Sequence, residues 1–285
     1  KTMKVIDQTL LEKVIIERSR HSHKGDYGRL LLLGGTYPYG GAIIMSAIAA
    51  VKSGAGLVTV GTDKENIPAL HSHLPEAMAF SLQDQQLLKE QLEKAEVVLL
   101  GPGLREDAFG EKLVKRVFDK LRNDQILIAD GGALGILAKG QLPFPSSQLI
   151  LTPHQKEWER LSGIVLDHQN TETTSRALSA FPQETILIEK GPATRIWQAG
   201  QSEYYQLQVG GPYQATGGMG DTLAGMIAGF AGQFHQVSLY ERVVVATHLH
   251  SAIAQELAQE NYLVLPTKIS KALPKTMKKI SQKGS

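Results

Sequence analysis

A glycine-rich turn over residues 216–225 carries the residue types best suited to chemistry. It reads Thr-Gly-Gly-Met-Gly-Asp-Thr-Leu-Ala-Gly and leads into an apolar stretch that predicts a helix. The exposed N–H groups of the glycines and the positive end of the helix dipole would together bind an anion such as phosphate. A carboxylate beside that anion, Asp221, suits a proton acceptor or a partner of a metal-bound group. The pattern favours phosphoryl transfer, and the alternative is a plain turn in which Asp221 caps the helix.

Short apolar runs alternate with helical patterns and predict the elements that position this turn. Most of the runs are continuously apolar, as in strands covered on both faces of a parallel sheet. We predict strands over 29–33, 57–60, 97–100, 126–129, 148–151 and 185–188, then an antiparallel hairpin over 194–197 and 204–207. We predict helices over 42–53, 85–94, 109–122, 154–162, 171–180, 221–232, 239–259 and 270–280. This order indicates an α/β fold, with a mostly parallel central sheet covered by helices, in a single domain over 1–285.

Five further loops rich in glycine or polar residues follow predicted strands. They begin at Gly34, Gly101, Asp130, Thr152 and Lys190. In open α/β sheets the carboxyl ends of the strands are where ligands bind. We therefore expect these loops and the glycine-rich turn to form one site at this edge of the sheet.

The Thr-Pro-His loop has two interpretations. Thr152 is a good helix N-cap, Pro153 suits the first helical position, and Gln155 would complete a capping box. A capping box does not require a histidine, so we predict that His154 contacts a ligand. We expect its imidazole to be neutral, because a helix N-terminus disfavours the cation.

Composition excludes several classes of function. A net charge of +2 over 285 residues gives no argument for a nucleic-acid or membrane partner. The absence of cysteine excludes disulfides, thiolate zinc sites and thiol nucleophiles. No stretch reaches the ~20 apolar residues of a membrane span, and the first residues lack a signal-peptide pattern. We expect a cytoplasmic protein.

Seven motifs, in order, resemble the NAD(P)H-hydrate dehydratase family, repair enzymes of the ribokinase-like superfamily. They are Ser-His-Lys-Gly-Asp-Tyr-Gly at 22–28, the loop ending in Gly-Ala at 41–42, Ser-Gly-Ala-Gly-Leu-Val at 53–58, Gly-Pro-Gly at 101–103, Leu-Thr-Pro-His at 151–154, Lys-Gly at 190–191 and Gly-Gly-Met-Gly-Asp-Thr-Leu at 217–223. The resemblance implies a ribokinase-like three-layer sandwich, with no fused epimerase domain before His23. The chain departs from the family's usual Asp-Ala-Asp or Asp-Ala-Gly at 130–132 and from its usual Pro-Gly at 155–156.

The resemblance also implies a reaction. The S epimer of NADH hydrate or NADPH hydrate would be phosphorylated on its C6 hydroxyl and would then lose phosphate, with ADP as donor and AMP as product. Asp221 would be the catalytic base and would contact the substrate. The other substrate contacts would be Ala42, Gly103 and His154, and the nucleotide contacts Lys190, Gly191, Pro192, Ala193, Thr194, Gly218 and Gly220. A Mg²⁺ ion bridging the phosphates is expected; its protein ligands are unknown, with Glu157 as a guess.

Two alternatives stay open at this point. One is another ribokinase-like small-molecule kinase, of the hydroxymethylpyrimidine or hydroxyethylthiazole type, which should not combine the loops at 23–25 and 152–154. The other is a nucleotide-binding sensor, which would gain nothing from Asp221. The resemblance further implies a homo-oligomer, with a tetramer favoured, and allows a separate epimerase partner in the pathway. The residues alone do not separate ADP from ATP, or NADH hydrate from NADPH hydrate.

Overall fold

A ten-stranded sheet runs through the residues that the computed structural model describes, 2–284. Its strands are β1 (Thr2–Lys4), β2 (Arg29–Leu33), β3 (Leu57–Thr62), β4 (Met78–Ser81), β5 (Val97–Leu100), β6 (Ile126–Ala129), β7 (Gln148–Leu151), β8 (Ile186–Glu189), β9 (Arg195–Gln198) and β10 (Glu203–Gln206). They lie in the order β1-β10-β9-β8-β7-β6-β5-β2-β3-β4. Strands β2 to β8 pair in parallel, whereas β9 is antiparallel to both β8 and β10. The carboxyl ends of β2 to β8 therefore meet at one edge.

Eleven α-helices occur within the same described residues. They are α1 (Gln8–Val14), α2 (Gly40–Lys52), α3 (Ile67–His73), α4 (Gln85–Lys94), α5 (Ala108–Lys120), α6 (Gly132–Ala138), α7 (Gln155–Ser162), α8 (Thr171–Leu178), α9 (Met219–Ala231), α10 (Leu239–Leu257) and α11 (Pro266–Lys283). No helix among residues 2–284 combines the length and apolarity needed to cross a membrane.

Two apolar cores make three layers of the fold. One core joins the sheet to α1, α2, α9, α10 and α11, and the other joins it to the helices from α4 to α8. Successive residues of β5 alternate between them, since Val97 and Leu99 belong to the first and Val98 and Leu100 to the second. Burial on both faces explains why these strands are continuously apolar, and it confirms the predicted three-layer α/β fold.

The predicted strands are confirmed to within two residues at each end, and so are all predicted helices except α11, which is longer at both ends. Strands β1 and β4 and helices α1, α3 and α6 were not predicted. Strand β1 is three exposed residues without an apolar run, and α6 follows directly on a pair of glycines that indicates a loop. Such short elements carry too little periodicity to be recognised.

Small residues bring α9 close to α2 in the first core. A Cβ added to Gly225 would lie 2.1 Å from the carbonyl oxygen of Ser46, and one on Gly229 would lie 1.8 Å from the Ser53 hydroxyl oxygen. Larger side chains would force the two helices apart. Because α9 begins at the carboxyl edge of the sheet, this packing also fixes where its first turn lies.

Candidate active site

The glycine-rich turn forms the N-terminus of α9, as predicted. Gly218 is the N-cap, with φ of +92°, and a Cβ there would lie 2.3 Å from the Met45 sulfur. The backbone conformation therefore favours glycine at this position, whereas the Met45 side chain could move to make space for a Cβ. The N–H groups of the first helical turn have no acceptor within the helix, so they are available to an anion.

Asp221 is the third residue of α9 and is anchored through its backbone. The Ser46 hydroxyl of α2 donates a hydrogen bond of 2.7 Å to its carbonyl oxygen. Burial, and to a smaller extent nearby Asp130, raises the pKa of the Asp221 carboxyl to about 6, although Lys190 lowers it. A carboxyl with this pKa is ionised near neutral pH and is a stronger base than an exposed aspartate.

Lys190 brings a positive charge to the same turn. Its backbone N–H, just after β8, donates to the Pro153 carbonyl oxygen at 3.1 Å. Its ammonium nitrogen lies 3.9 Å from an Asp130 carboxylate oxygen and 3.1 Å from the position that a Cβ on Gly220 would occupy. The ammonium is thus beside the helix N-terminus, where a phosphate would bind.

The neighbouring acid, Glu189, belongs to the fold rather than to the site. Its buried carboxylate accepts hydrogen bonds from Thr174 Oγ1 (2.6 Å), Arg195 Nε (3.0 Å) and Trp197 Nε1 (3.2 Å). These contacts hold the end of β8 to β9 and α8. They therefore fix the backbone from which the Lys190 side chain extends.

Asp130 is a functional candidate that the sequence did not single out. It follows β6, is 4% exposed, and accepts a 2.6 Å hydrogen bond from the Thr152 hydroxyl. In the sequence, only its place after a strand could have marked it. Its neighbours Thr152 and Lys190 follow β7 and β8, so the three residues come from adjacent strands.

The alternative interpretation of this loop, in which Thr152 caps α7, named the wrong residue, because the Thr152 hydroxyl is committed to Asp130. The N-cap of α7 is His154, whose Nδ1 accepts from the Glu157 N–H at 3.2 Å, while a Glu157 carboxylate oxygen accepts from the His154 N–H at 3.0 Å. An imidazole nitrogen serves here in place of the usual hydroxyl or carboxylate. Partial burial, and then the Lys190 charge, lowers the pKa of His154, in line with the expected neutral ring.

Two cavities meet the candidate residues. The first, of about 620 Å³, lies between the loop after β8 and helices α9 and α10. Of the predicted site residues it is lined by His154, Lys190, Gly191, Pro192, Thr194 and Gly220. Residues of the segment 207–214 also line this cavity. So does His250, a buried α10 residue that carried no recognisable signal in the sequence.

The second cavity, of about 540 Å³, lies between the loops after β2, β5 and β6. Gly103 and Glu157 line it, together with Tyr39. Ala42 is adjacent, since its Cβ lies 2.9 Å from where a Cβ on Gly103 would be. Because His154 lines the first cavity and Glu157 the second, the start of α7 lies between the two.

Four predicted site residues line neither cavity: Ala42, which is adjacent to the second, and Gly218, Asp221 and Ala193. Gly218 and Asp221 lie in the turn at the start of α9, next to Gly220 of the first cavity. Ala193 is exposed on the loop after β8. A larger cavity, of about 710 Å³, lies near the loops that precede β2 and β3 and includes none of the predicted residues.

The donor set does not form a metal centre by itself. Among residues 2–284, no group of three or more His, Asp or Glu side chains could hold a metal ion. The guess at Glu157 has a competing explanation, because that carboxylate caps α7.

The fold agrees with comparisons to known proteins. The family model described as NAD(P)H-hydrate dehydratase matches residues 30–275. A curated protein of Streptococcus pneumoniae, an ADP-dependent (S)-NAD(P)H-hydrate dehydratase, is 81% identical over 98% of this chain and 97% of its own.

Two solved structures are also similar to the chain. A ribokinase-like superfamily protein from Enterococcus faecalis is 42% identical, with a TM-score of 0.94 and coverage of 98% of this chain and 97% of its own. An ADP/ATP-dependent NAD(P)H-hydrate dehydratase from Bacillus subtilis, co-crystallised with ATP and Mg²⁺, is 28% identical, with a TM-score of 0.83 and coverage of 96% and 97%.

Proposed function

The chain belongs to the NAD(P)H-hydrate dehydratase family, and on that premise we propose that it repairs the S epimers of NADH hydrate and NADPH hydrate with ADP. It is a lyase: ADP phosphorylates the C6 hydroxyl, and the phosphate then leaves with the oxygen. The relatives support this function rather than the alternative of a kinase for hydroxymethylpyrimidine or hydroxyethylthiazole. A sensor without turnover has no use for the carboxylate at 221.

The observation that carries the proposal is the arrangement around α9. A carboxyl with a pKa of about 6, an ammonium and a helix N-terminus converge at the start of α9, next to the Gly220 that lines the first cavity. Phosphoryl transfer needs positioning, neutralisation of charge and a group that orients the attacking hydroxyl. Asp221, Lys190 and the N–H groups near Gly220 supply these three requirements.

The proton and electron movements follow from these positions. Asp221 takes the proton of the C6 hydroxyl as its oxygen attacks the β-phosphorus of ADP, and AMP leaves. The N–H groups of Gly218 and Gly220, with Lys190, neutralise the charge that develops on the phosphoryl oxygens. The lone pair on the ring nitrogen then expels phosphate by breaking the C6–O bond, and loss of a C5 proton restores the dihydropyridine. Phosphate leaves far more readily than hydroxide, so no strong base is required.

The two cavities accommodate the two ligands. We place the nucleotide in the first cavity, with AMP against Lys190, Gly191, Pro192 and Thr194, which line it, and against the neighbouring Ala193, and with its phosphate end at Gly220. The second holds the hydrate, against Ala42 and Gly103. His154 stands between them and reaches the hydrate from the nucleotide side.

Further properties remain proposals. Mg²⁺ enters with the nucleotide phosphates, whose charge it reduces, and no protein ligand is assigned to it. The chain acts as one domain in a cytoplasmic homo-oligomer, with a tetramer as the favoured assembly, alongside a separate epimerase. It takes no nucleic-acid or membrane partner.

The decisive experiment measures both products. Protein incubated with NADH hydrate and ADP is expected to restore the absorbance of reduced nicotinamide, with AMP formed in equal amount. ADP is expected to support the reaction better than ATP. Chromatography of the nucleotides checks both points. ADP accumulating from ATP, with ADP itself inert, would overturn the choice of donor, and no recovery with either nucleotide would overturn the dehydratase activity.

Substitution of His154 tests its contact with the hydrate. His154→Asn keeps an N-cap for α7, so we expect little loss of stability, but the KM for the hydrate should rise more than the KM for ADP. His154→Ala should show the same kinetic split and also lose roughly 1 kcal/mol of stability with the cap. Thermal melts and steady-state kinetics on both variants make the comparison.

His154 lines the same cavity as Lys190, since β7 and β8 are neighbours. Equal increases in KM for both ligands, or normal kinetics in His154→Asn, would leave His154 with the capping role alone.

A further inference from the structure

We propose that Asp130 is a positioning residue for the phosphoryl transfer: its buried carboxylate, fixed by the Thr152 hydroxyl, holds the Lys190 ammonium beside Gly220. This inference rests on the proposed function, because it gives Lys190 its task at the phosphate end of ADP. Asp130 itself touches neither ligand in this scheme. It acts through Lys190 and through the charge that it adds to the site.

The carboxylate of Asp130 is held from two sides. The side chain is 4% exposed, and Thr152 Oγ1 donates to its Oδ1 at 2.6 Å. Its backbone is fixed as well, because its N–H donates to the Leu100 carbonyl oxygen and its own carbonyl oxygen lies against Gly101, where a Cβ would come within 1.7 Å. A buried carboxylate without partners would be costly, so this degree of fixation indicates a defined place for its charge.

The contact with Lys190 is ionic rather than a hydrogen bond. Lys190 Nζ lies 3.9 Å from Asp130 Oδ1, beyond hydrogen-bond distance. Attraction at this distance centres the ammonium without using one of its N–H donors, which stay available to phosphate oxygens. A flexible lysine side chain loses much rotamer freedom when it is ordered. A carboxylate that orders Lys190 before the nucleotide arrives reduces that cost during catalysis.

Asp130 also acts on the base. Asp130 raises the pKa of Asp221 and Lys190 lowers it, so the two charges oppose one another. The charged groups that act on Asp221 thus come from the loops after β6 and β8. Helix α10 contributes His250, which is neutral because burial lowers its pKa to about 4. Removing the Asp130 charge should therefore move the acid limb of the pH–rate profile to lower pH, and removing the Lys190 charge should move it to higher pH.

The first test replaces Asp130 with asparagine, which keeps the shape and an acceptor for Thr152. We expect kcat to fall about 10- to 100-fold, as for other groups that position a reacting one, with the KM for ADP changed by less than about threefold. The matched control is Asp84→Asn, the same change in the exposed N-cap of α4, where asparagine caps as well as aspartate. That variant should behave as wild type.

The pH profile separates positioning from a structural role. In wild-type protein kcat should fall as the pH drops through about 6. In Asp130→Asn this limb should move to lower pH, because the charge that raises the pKa of Asp221 is gone. Retained kcat with an unmoved limb would overturn the inference. A loss of activity that added Mg²⁺ restores would also overturn it, because Asp130 would then be a metal ligand.

A second pair of variants covers the case in which Asp130→Asn does not fold. Thr152→Val removes the hydroxyl that fixes Asp130 and keeps the side-chain shape, and Thr152→Ser restores the hydroxyl. We expect a smaller fall in kcat for valine, about 3- to 10-fold, with recovery for serine. Equal behaviour of the two variants would contradict the proposal. Wild-type protein without hydrate turnover would overturn the proposed function and this inference together, whereas active wild type with unaffected variants would overturn this inference alone.

Discussion

Replacing Asp221 with asparagine is expected to lower kcat by about 10²- to 10⁴-fold, the usual cost of losing a general base. The amide keeps the size of the side chain but cannot accept the proton of the C6 hydroxyl. The backbone of residue 221 is held by Ser46, so the turn should keep its geometry. Turnover of NADH hydrate with ADP, followed by absorbance, measures the effect.

Nucleotide binding provides the control for this variant. Asp221 is not needed to bind AMP, so the Kd measured by calorimetry should stay within about tenfold of wild type, or 1.4 kcal/mol.

The wild-type enzyme should also lose activity as the pH falls through about 6, because burial raises the pKa of Asp221 and protonation removes the base. Turnover in Asp221→Asn close to wild type would exclude the catalytic role.

Replacing Lys190 with methionine is expected to lower kcat/KM by about 10²- to 10³-fold, as for other groups that stabilise charge in a transition state. Methionine is of similar length but carries no charge beside Gly220. The acid limb of the pH–rate profile should move to higher pH, since Lys190 lowers the pKa of Asp221. This shift is opposite to the one expected for Asp130→Asn. Measuring both profiles in one buffer series tests the whole cluster.

Lys190→Arg is the matched variant that keeps the charge. Its planar guanidinium cannot occupy the same space between Asp130 and Gly220, so activity should recover only in part. The acid limb, which depends on charge, should stay near its wild-type position. A methionine variant that turns over hydrate normally would show that the ammonium serves neither binding nor transfer.

Much of the fold was predictable from the sequence, because its signals are local. Continuously apolar runs predicted the buried parallel strands, and glycine with Asp221 at the start of an apolar helix predicted the anion-binding turn. Strand order was not predictable, since the pairing of β2 with both β3 and β5 depends on contacts between distant segments. The exposed β1 and the short α6 were missed because neither has a clear period.

The candidate site, like the fold, has features that the sequence could predict and others that it could not. Residue types and loop positions in the sequence indicated Asp221, Lys190 and His154 as site residues, and the motifs indicated the family. The sequence misassigned the cap of α7, because a histidine nitrogen accepted the bond expected of Thr152. The hydrogen-bond partner of a side chain depends on which residues the neighbouring strands bring close to it. The Thr152 hydroxyl, after β7, donates to the Asp130 carboxylate, after β6.

By itself, then, the sequence predicted the element types, an anion-binding turn and a carboxylate at residue 221 of that turn, all of which reside in a few consecutive residues. Only the tertiary structure decided that Asp130, Thr152 and Lys190 form one cluster. Their place at the ends of three adjacent strands, β6, β7 and β8, is a property of strand order. Only the structure, too, decided the raised pKa of Asp221, because burial and the opposing charges of Asp130 and Lys190 exist only once the chain has folded.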